Sequence, residues 1–264
     1  MCLAVIARRA HDRFGLIIVA NRDEYHARPT QAAQLWHDHP QVLAGRDLRA
    51  GGTWLGLSAS GKIGLLTNYR EPGNQNPAAP SRGALVSDFL THPQDARQYA
   101  PAIHSVANRF NGFNLLLADA SSAHYVSNRA KQFETCLADG VHGLSNATLD
   151  IAWPKVTRTQ AAVTQLLSDG MAPDAEGLFE IFRDTRLAQR TELPDTGLPP
   201  ARELQLSSPF ILDNQYGTRC TTVVMVDHCG KTYFEERTFN TRGEVINQVK
   251  WQLDTFKQVF SPLT

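Results

Sequence analysis

Hydrophobic positions along the chain fall into two kinds of run. Residues 3–7, LAVIA, and 15–20, GLIIVA, are short, almost wholly apolar and rich in β-branched side chains. Such runs are too short for stable helices and predict strands buried on both faces. The polar stretch RRAHDRF between them predicts a hairpin loop. After a polar passage comes TWLGLSASGKIGLLTNYR, which predicts two strands around the turn SASGK. Residues 112–128 and 219–238 repeat the hairpin pattern, the second with DHCG at its turn.

The second kind of run has apolar residues at helical spacing. RGALVSDFLTH, with Ser81 as N-cap, and PQDARQYAPAIHSVANRF predict two helices. Pro154 suits the first turn of PKVTRTQAAVTQLLS. DAEGLFEIFRDT predicts a fourth helix, and EVINQVKWQLDTFKQVF a fifth that closes the chain. Residues 71–80 and 187–206 read as loops too short to link domains. Strands apolar on both faces must be covered on both faces. The simplest architecture is an α+β four-layer α/β/β/α sandwich, with residues 1–264 as a single domain.

Composition adds exclusions. The 26 Lys and Arg balance the 26 Asp and Glu, so no excess charge points to nucleic acid or an anionic membrane. No segment reaches the roughly 20 apolar residues of a transmembrane helix. Arg8, Arg9, Asp12 and Arg13 interrupt any secretory signal. The expectation is a soluble, cytoplasmic protein. Cys2, Cys136, Cys220 and Cys229 lie far apart with no C-x-x-C spacing, which argues against a disulfide framework or zinc cluster. Cys136, Cys220 and Cys229 read as small buried hydrophobes.

Cys2 stands apart. If the first hairpin turns near Asp12, residue numbers paired across it sum to about 24. Cys2 then faces Arg22, with Asn21, Asp23 and Glu24 within a residue of it. The apolar second strand ends in NRDE because that end meets the start of the first. A small second residue favours removal of the initiator methionine, which leaves a thiol and an α-amine on one residue. That amine titrates near ~7.7–8.0 and suits a general base at neutral pH. The thiolate is the nucleophile, and the Arg22 guanidinium would lower its pKa. Asp23, or Glu24 on the face of Arg22, would hold the α-ammonium. Arg22 and Asp23 point to opposite faces of a flat strand, so both reach Cys2 only if a bulge or turn intervenes.

MCLAVIA, ANRDEYHARPT, GGTWLGLSASGKIGLLTNYR, GLSNATLD, WPKV and YGTRCTTVVMVD together resemble the transport-and-Golgi-organisation family, also named for its NRDE motif. In its N-terminal pattern that family is similar to N-terminal-nucleophile hydrolases of the choloylglycine hydrolase and penicillin V acylase type. The resemblance implies their four-layer sandwich and cleavage of a non-peptide carboxamide, or acyl transfer from one, through a cysteine thioester. It implies a small-molecule acyl or amide substrate and no cofactor. It makes Cys2 the nucleophile and matches Arg22 and Asp23 to an arginine and aspartate that intervening residues separate in the acylases. Asn68 and Asn146 become candidates for an oxyanion hole, although asparagine serves turns equally well. Arg219 matches a late active-site arginine. The family's link to haem trafficking and lipid homeostasis implies an alternative, a non-catalytic haem or lipid carrier. His37 and His39, with His26, are then the possible axial ligands. Tyr25 and Tyr69 could also ligate iron, and no C-x-x-C-H attachment motif is present.

Overall fold

The computed structural model describes residues 2–169 and 173–263. Strands β1 (Cys2–Arg8) and β2 (Phe14–Tyr25) form the expected first hairpin. Four strands then follow, β3 (Thr30–Leu35), β4 (Val42–Asp47), β5 (Leu55–Ser58) and β6 (Ile63–Asn68). Helices α1 (Gly83–Thr91) and α2 (Ala96–Ala102) precede β7 (Phe113–Ala118), β8 (Ala123–Ser127), β9 (Glu134–Cys136) and β10 (Gly140–Leu144). After α3 (Pro154–Ser168), α4 (Ala175–Phe182) and α5 (Pro200–Gln205) the chain ends in β11 (Tyr216–Asp227), β12 (Lys231–Phe239), β13 (Val245–Asp254) and β14 (Val259–Pro262).

The strands make two seven-stranded sheets. One runs β10-β1-β2-β11-β12-β13-β14, and the other runs β3 to β9 in chain order. The alternation of side chains along β1 shows why they stack. Ala4 and Ile6 point into the layer between the sheets, against residues such as Leu55, Leu65 and Leu116. Leu3, Val5 and Ala7 point the other way, onto Val156 and Val163 of α3 and Leu178 and Phe182 of α4. The second sheet is covered by α1 and α2 through Val86, Phe89, Ala96 and Ala100. The architecture is the expected α+β, four-layer α/β/β/α sandwich.

Several elements differ from the sequence expectation. The closing segment is not a helix: β13 pairs with β12 from Lys231↔Asp254 to Phe239↔Val245, and β14 returns along β13. Val249, Trp251 and Phe260 pack on the inter-sheet core, so the apolar period there is that of a strand. The polar passage after β2 contains β3 and β4. Residues 187–206 are not all loop, since a 3₁₀ turn at Arg190–Glu192 and α5 lie within them. Ser81 does not cap α1, whose N-cap is Arg82 with no side-chain hydrogen bond. Asp95 does cap α2, accepting from the Gln98 N–H, but that helix ends at Ala102 and continues only as short 3₁₀ turns. Of the three cysteines read as buried, Cys220 is buried and Cys136 and Cys229 are exposed. Among the described residues no helix is long and apolar enough to cross a membrane.

Burial on both faces of β1 has a direct consequence. Leu3→Ala and Ile6→Ala remove fully buried side chains from different layers. Each is expected to cost about 2–5 kcal/mol in denaturant unfolding. A change within roughly 0.5 kcal/mol at either site, as on a one-faced strand, would contradict this packing.

Candidate active site

The β1–β2 ladder runs without a slip from Arg8↔Leu16 to Cys2↔Arg22. Strand β10 stops opposite Ala4, so Cys2 lies at the open end of the sheet. Its carbonyl accepts a hydrogen bond from Ser145 Oγ at 2.8 Å. On the far side of β2, β11 pairs Thr218 with Asp23 and then Cys220 with Arg22. The bulge is therefore in β11, at Arg219, and the first hairpin stays regular. Arg22 shares the inter-sheet face with Cys2, while Asn21 and Asp23 point to the helix side.

The four residues of NRDE thus do different work. Asn21 Nδ2 donates to the carbonyls of Phe182 and Pro209, both at 2.9 Å, and ties the end of α4 to the sheet. Asp23 Oδ1 accepts from Thr218 Oγ1 at 2.7 Å, and its carbonyl accepts from Tyr216 OH at 3.0 Å. Glu24 Oε1 accepts from the Tyr25 N–H at 2.8 Å, and its other oxygen lies 3.9 Å from Arg28 Nε.

Arg22, only 5% exposed, crosses from one sheet to the other. Its guanidinium donates to Thr30 Oγ1 at 3.2 Å, approaches Asp47 Oδ2 at 3.5 Å and lies 4.3 Å from the centre of the Trp54 ring. Burial pushes the Asp47 carboxyl up. A 2.6 Å bond from Arg28 and the N–H groups of Arg49 and Ala50 more than offset this, so its pKa is lowered. Two glycines make room for the arrangement. A Cβ on Gly45 would sit 2.4 Å from the Trp54 ring, and one on Gly52 would sit 2.5 Å from the carbonyl carbon of Gly83. Only glycine leaves the indole its seat on β4 and lets the loop before Trp54 lie on the start of α1.

A cleft of about 540 Å³ opens at this end of the sandwich. Cys2, Arg22, Asp23, Glu24, Asp47, Trp54, Asn68 and Arg82 are among the residues that line it. Arg82 donates to the Gly112 carbonyl at 3.0 Å. Burial pushes the Cys2 thiol up, while Arg22 and the Asp23 N–H act to lower it and the Asp23 carboxylate to raise it. Asp23 is itself raised, chiefly by burial and against the attraction of Lys155. Behind the site, Arg70 forms an almost fully buried ion pair with Glu203, and its guanidinium lies 4.6 Å from the Trp153 ring centre.

Of the residues singled out in the sequence, Cys2, Arg22, Asp23 and Asn68 line the cleft. Asn146 does not. It is buried, its Nδ2 donates to the Asn68 carbonyl at 2.8 Å, and its own carbonyl accepts from the Arg70 N–H. Arg219 is not among the residues that line the cleft. Its Nη1 donates to the carbonyls of Tyr25, His26 and Arg28 at 2.9–3.2 Å, fixing the turn from which Arg28 reaches Asp47. His26 Nε2 lies 3.0 Å from the Asp213 carbonyl. His37 and His39 sit in the β3–β4 turn, at the opposite end of that hairpin from Asp47. Tyr25 is exposed with its ring edge-on to Tyr216, and Tyr69 is a backbone partner of Gly112. Among the described residues no group of three or more His, Cys, Asp or Glu side chains could hold a metal ion.

Asp47, Trp54, Arg82 and Lys155 were not anticipated. The signal for Trp54 is the glycine pair before it. That for Lys155 is a charged residue on the buried stripe of α3, with Val156, Thr159 and Val163.

The two stacked sheets and the helices that cover them place the chain among four-layer α/β/β/α proteins, with Cys2 and Arg22 on the wall of a polar cleft at the end of the first hairpin. The chain belongs to the Transport and Golgi organisation 2 family, whose model matches residues 1–241. It is 32% identical over 259 residues to the Transport and Golgi organization 2 homolog of Mus musculus, covering 92% of both chains. It is 34% identical to the Bos taurus homolog over 244 residues, covering 85% of this chain and 87% of that one. Among solved structures, it is similar to a Caenorhabditis elegans N-acylethanolamine-hydrolyzing acid amidase ortholog, with TM-score 0.49 and 13% identity, covering 84% of this chain and 92% of that one. A conjugated bile acid hydrolase from Clostridium perfringens is similar with TM-score 0.44 and 10% identity, covering 100% of this chain and 97% of that one.

Arg22→Met keeps an unbranched apolar stem and removes the guanidinium charge that favours the thiolate. The pH profile of Cys2 alkylation, followed by peptide mass spectrometry, should move up by roughly one pH unit, and less in Arg22→Lys. An unmoved profile in a folded Arg22→Met protein would remove Arg22 from thiol activation.

Proposed function

We propose that the protein is an N-terminal-nucleophile hydrolase or acyltransferase acting on a small-molecule carboxamide or other acyl group through a Cys2 thioester. The observation that carries this reading is the placement of the Cys2 side chain. It lies at the open end of β1, in register with Arg22 and on the wall of a cleft large enough for a small molecule.

With Met1 removed, the Cys2 α-amine takes the thiol proton and the thiolate attacks the carbonyl carbon. The tetrahedral oxygen is received by hydrogen-bond donors of the cleft, for which the Asn68 amide is the candidate. Asn146 acts through Asn68, by gripping its carbonyl. Collapse expels the amine, which leaves with the proton held by the α-ammonium, and the acyl group remains on sulfur. Water, or an acceptor amine or alcohol, then attacks the thioester and regenerates the thiol. Burial raises the thiol pKa even with Arg22 and the Asp23 N–H beside it, so the activation depends on the α-amine taking the thiol proton.

The carrier alternative assigns haem ligation to His37 and His39. These histidines lie in a surface turn, His37 exposed and His39 partly so, and neither lines the cleft. They do not fit the enclosed apolar setting that retains such a ligand.

The test is covalent. Simple alkylation does not discriminate, because Cys136 and Cys229 are exposed and will react. After incubation with a panel of amides and activated acyl donors, peptide mass spectrometry should find the acyl adduct on Cys2 at least tenfold above Cys136 and Cys229. Cys2→Ala should lose at least ~10²-fold in turnover and keep its fold, as expected for loss of a nucleophile. A Cys2 inert to every donor, with turnover unchanged in Cys2→Ala, would overturn the enzyme reading.

A further inference from the structure

The cleft beside Cys2 is more cationic than the proposed mechanism requires. Four arginines and three carboxylates line it. Two of the arginines are neutralised: Arg22 and Arg28 both reach Asp47 Oδ2, and Glu24 lies 3.9 Å from Arg28 Nε. The third carboxylate, Asp23, faces the helix side of β2 and accepts from Thr218. Arg82 is left over. Glu71, close by, is held instead by Arg129, which donates to both of its oxygens at 2.8 Å. Among the described residues no carboxylate makes an ion pair with Arg82.

The Arg82 guanidinium is nevertheless held in place. It is partly buried where α1 begins, and its Nη1 donates to the Gly112 carbonyl at 3.0 Å. The Gly112 N–H is fixed in turn by Glu71 Oε1 at 3.0 Å. Nε and Nη2 make no hydrogen bond among the described residues, and neither is sealed from solvent. These two nitrogens share one edge of a guanidinium and present parallel N–H groups, the edge that takes a carboxylate through two bonds. The first turn of α1 carries no acidic side chain and no side-chain cap, so the helix dipole adds positive potential at this wall. Burial lowers the Arg82 pKa, and the Cys2 thiolate is the strongest charge opposing that shift. A tie to Gly112 needs only a hydrogen-bond donor. A charged fork with one edge open has a cost in desolvation that nothing in the protein offsets.

We propose, on the Cys2 reading given above, that Arg82 is the specificity-determining residue of the cleft and binds a carboxylate on the molecule whose acyl group Cys2 receives. Both residues line one cleft of about 540 Å³, so a small molecule can meet both. The substrate class is an amide or acyl compound with a free carboxylate a few bonds from the reacting carbonyl. A phosphate, with more charge, would call for a second free cation beside Arg82, and Arg22 and Arg28 are already engaged.

The first experiment needs no turnover. Iodoacetate and iodoacetamide alkylate the same thiol and differ in charge. Their rate ratio at each cysteine, read by peptide mass spectrometry at low ionic strength, cancels differences in thiol pKa and exposure. Cys136 and Cys229, both exposed, are the internal references. In the wild type the iodoacetate-to-iodoacetamide ratio at Cys2 should exceed that at the references by roughly fivefold, the effect of one close charge pair in water. Arg82→Gln, which keeps a donor for Gly112, should lower the Cys2 ratio at least threefold. Arg82→Lys, which keeps the charge, should hold it within twofold of the wild type. Thermal unfolding shows that each variant is folded.

The second experiment compares N-acylglycines with the matching N-acylglycinamides and N-acyl phosphoethanolamines as acyl donors to Cys2. The carboxylates should be preferred over the neutral amides at least tenfold in kcat/KM, chiefly through KM, and Arg82→Gln should lose most of that preference. A wild-type Cys2 ratio equal to that of Cys136 and Cys229, or an unmoved ratio in folded Arg82→Gln, would overturn the proposal. If Arg82→Gln does not fold, the wild-type ratio and Arg82→Lys decide it. Preference for the phosphate donors would overturn the assignment to a carboxylate. A Cys2 acylated by none of the donors would count against the enzyme reading, and the alkylation ratio would still decide whether Arg82 draws a carboxylate to this cleft.

Discussion

Arg22 is the interaction on which the site depends. It is paired backbone to backbone with Cys2 in one sheet, and its side chain reaches Asp47, Thr30 and Trp54 in or beside the other. A guanidinium can do this while nearly buried because its plane stacks on an indole and its fork meets oxygen acceptors on two strands. The contact holds the open ends of the two sheets at a fixed separation. That separation is the cleft, and Cys2 lies on its wall because the hairpin places residue 2 beside residue 22.

Charge neutralisation follows from the same constraint. Bringing Arg22 into a dry gap requires Asp47, and Asp47 is held ionised by Arg28 and two backbone N–H groups. Arg28 is in turn set by the turn that Arg219 grips through three carbonyls. On the other face of β2 a second set forms around Asp23, with Thr218, Lys155 and the Arg70–Glu203 pair. The alternation of a strand thus sends Arg22 and Asp23 into separate networks, one on the thiol and one behind the main chain of Cys2. In the proposed mechanism these adjacent residues would serve one nucleophile, whose thiol and α-amine lie on different sides of the backbone.

The part of this arrangement legible in the sequence is the part set by local rules. LAVIA and GLIIVA are apolar on both faces, so their strand character and four-layer covering follow from composition, and a regular hairpin then fixes Cys2 against Arg22 by counting. What was not legible depends on partners far along the chain. Residues 245–254 have apolar positions compatible with either period, and only pairing with β12 settles Val249, Trp251 and Leu253 as one face of a strand. Strand β3, TQAAQL, has one buried residue in six and leaves almost no pattern. Arg219 resembled a site arginine by motif, but the bulge at its own position turns it toward backbone carbonyls. Asp47 and Lys155 gave weak local signals, since the role of a buried charge is defined by charges on other elements.

The most direct measurement is a crystal structure of the protein after reaction with a small acylating inhibitor such as a β-lactone. Density should run continuously from the Cys2 Sγ into the cleft between Arg22 and Asn68. The new carbonyl oxygen should point toward Asn68, and a free α-amine should lie beside Asp23. A Cys2 that is unmodified, with its sulfur turned into the apolar layer between the sheets and the inhibitor bound elsewhere, would contradict the assignment of this cleft as the site of acyl chemistry.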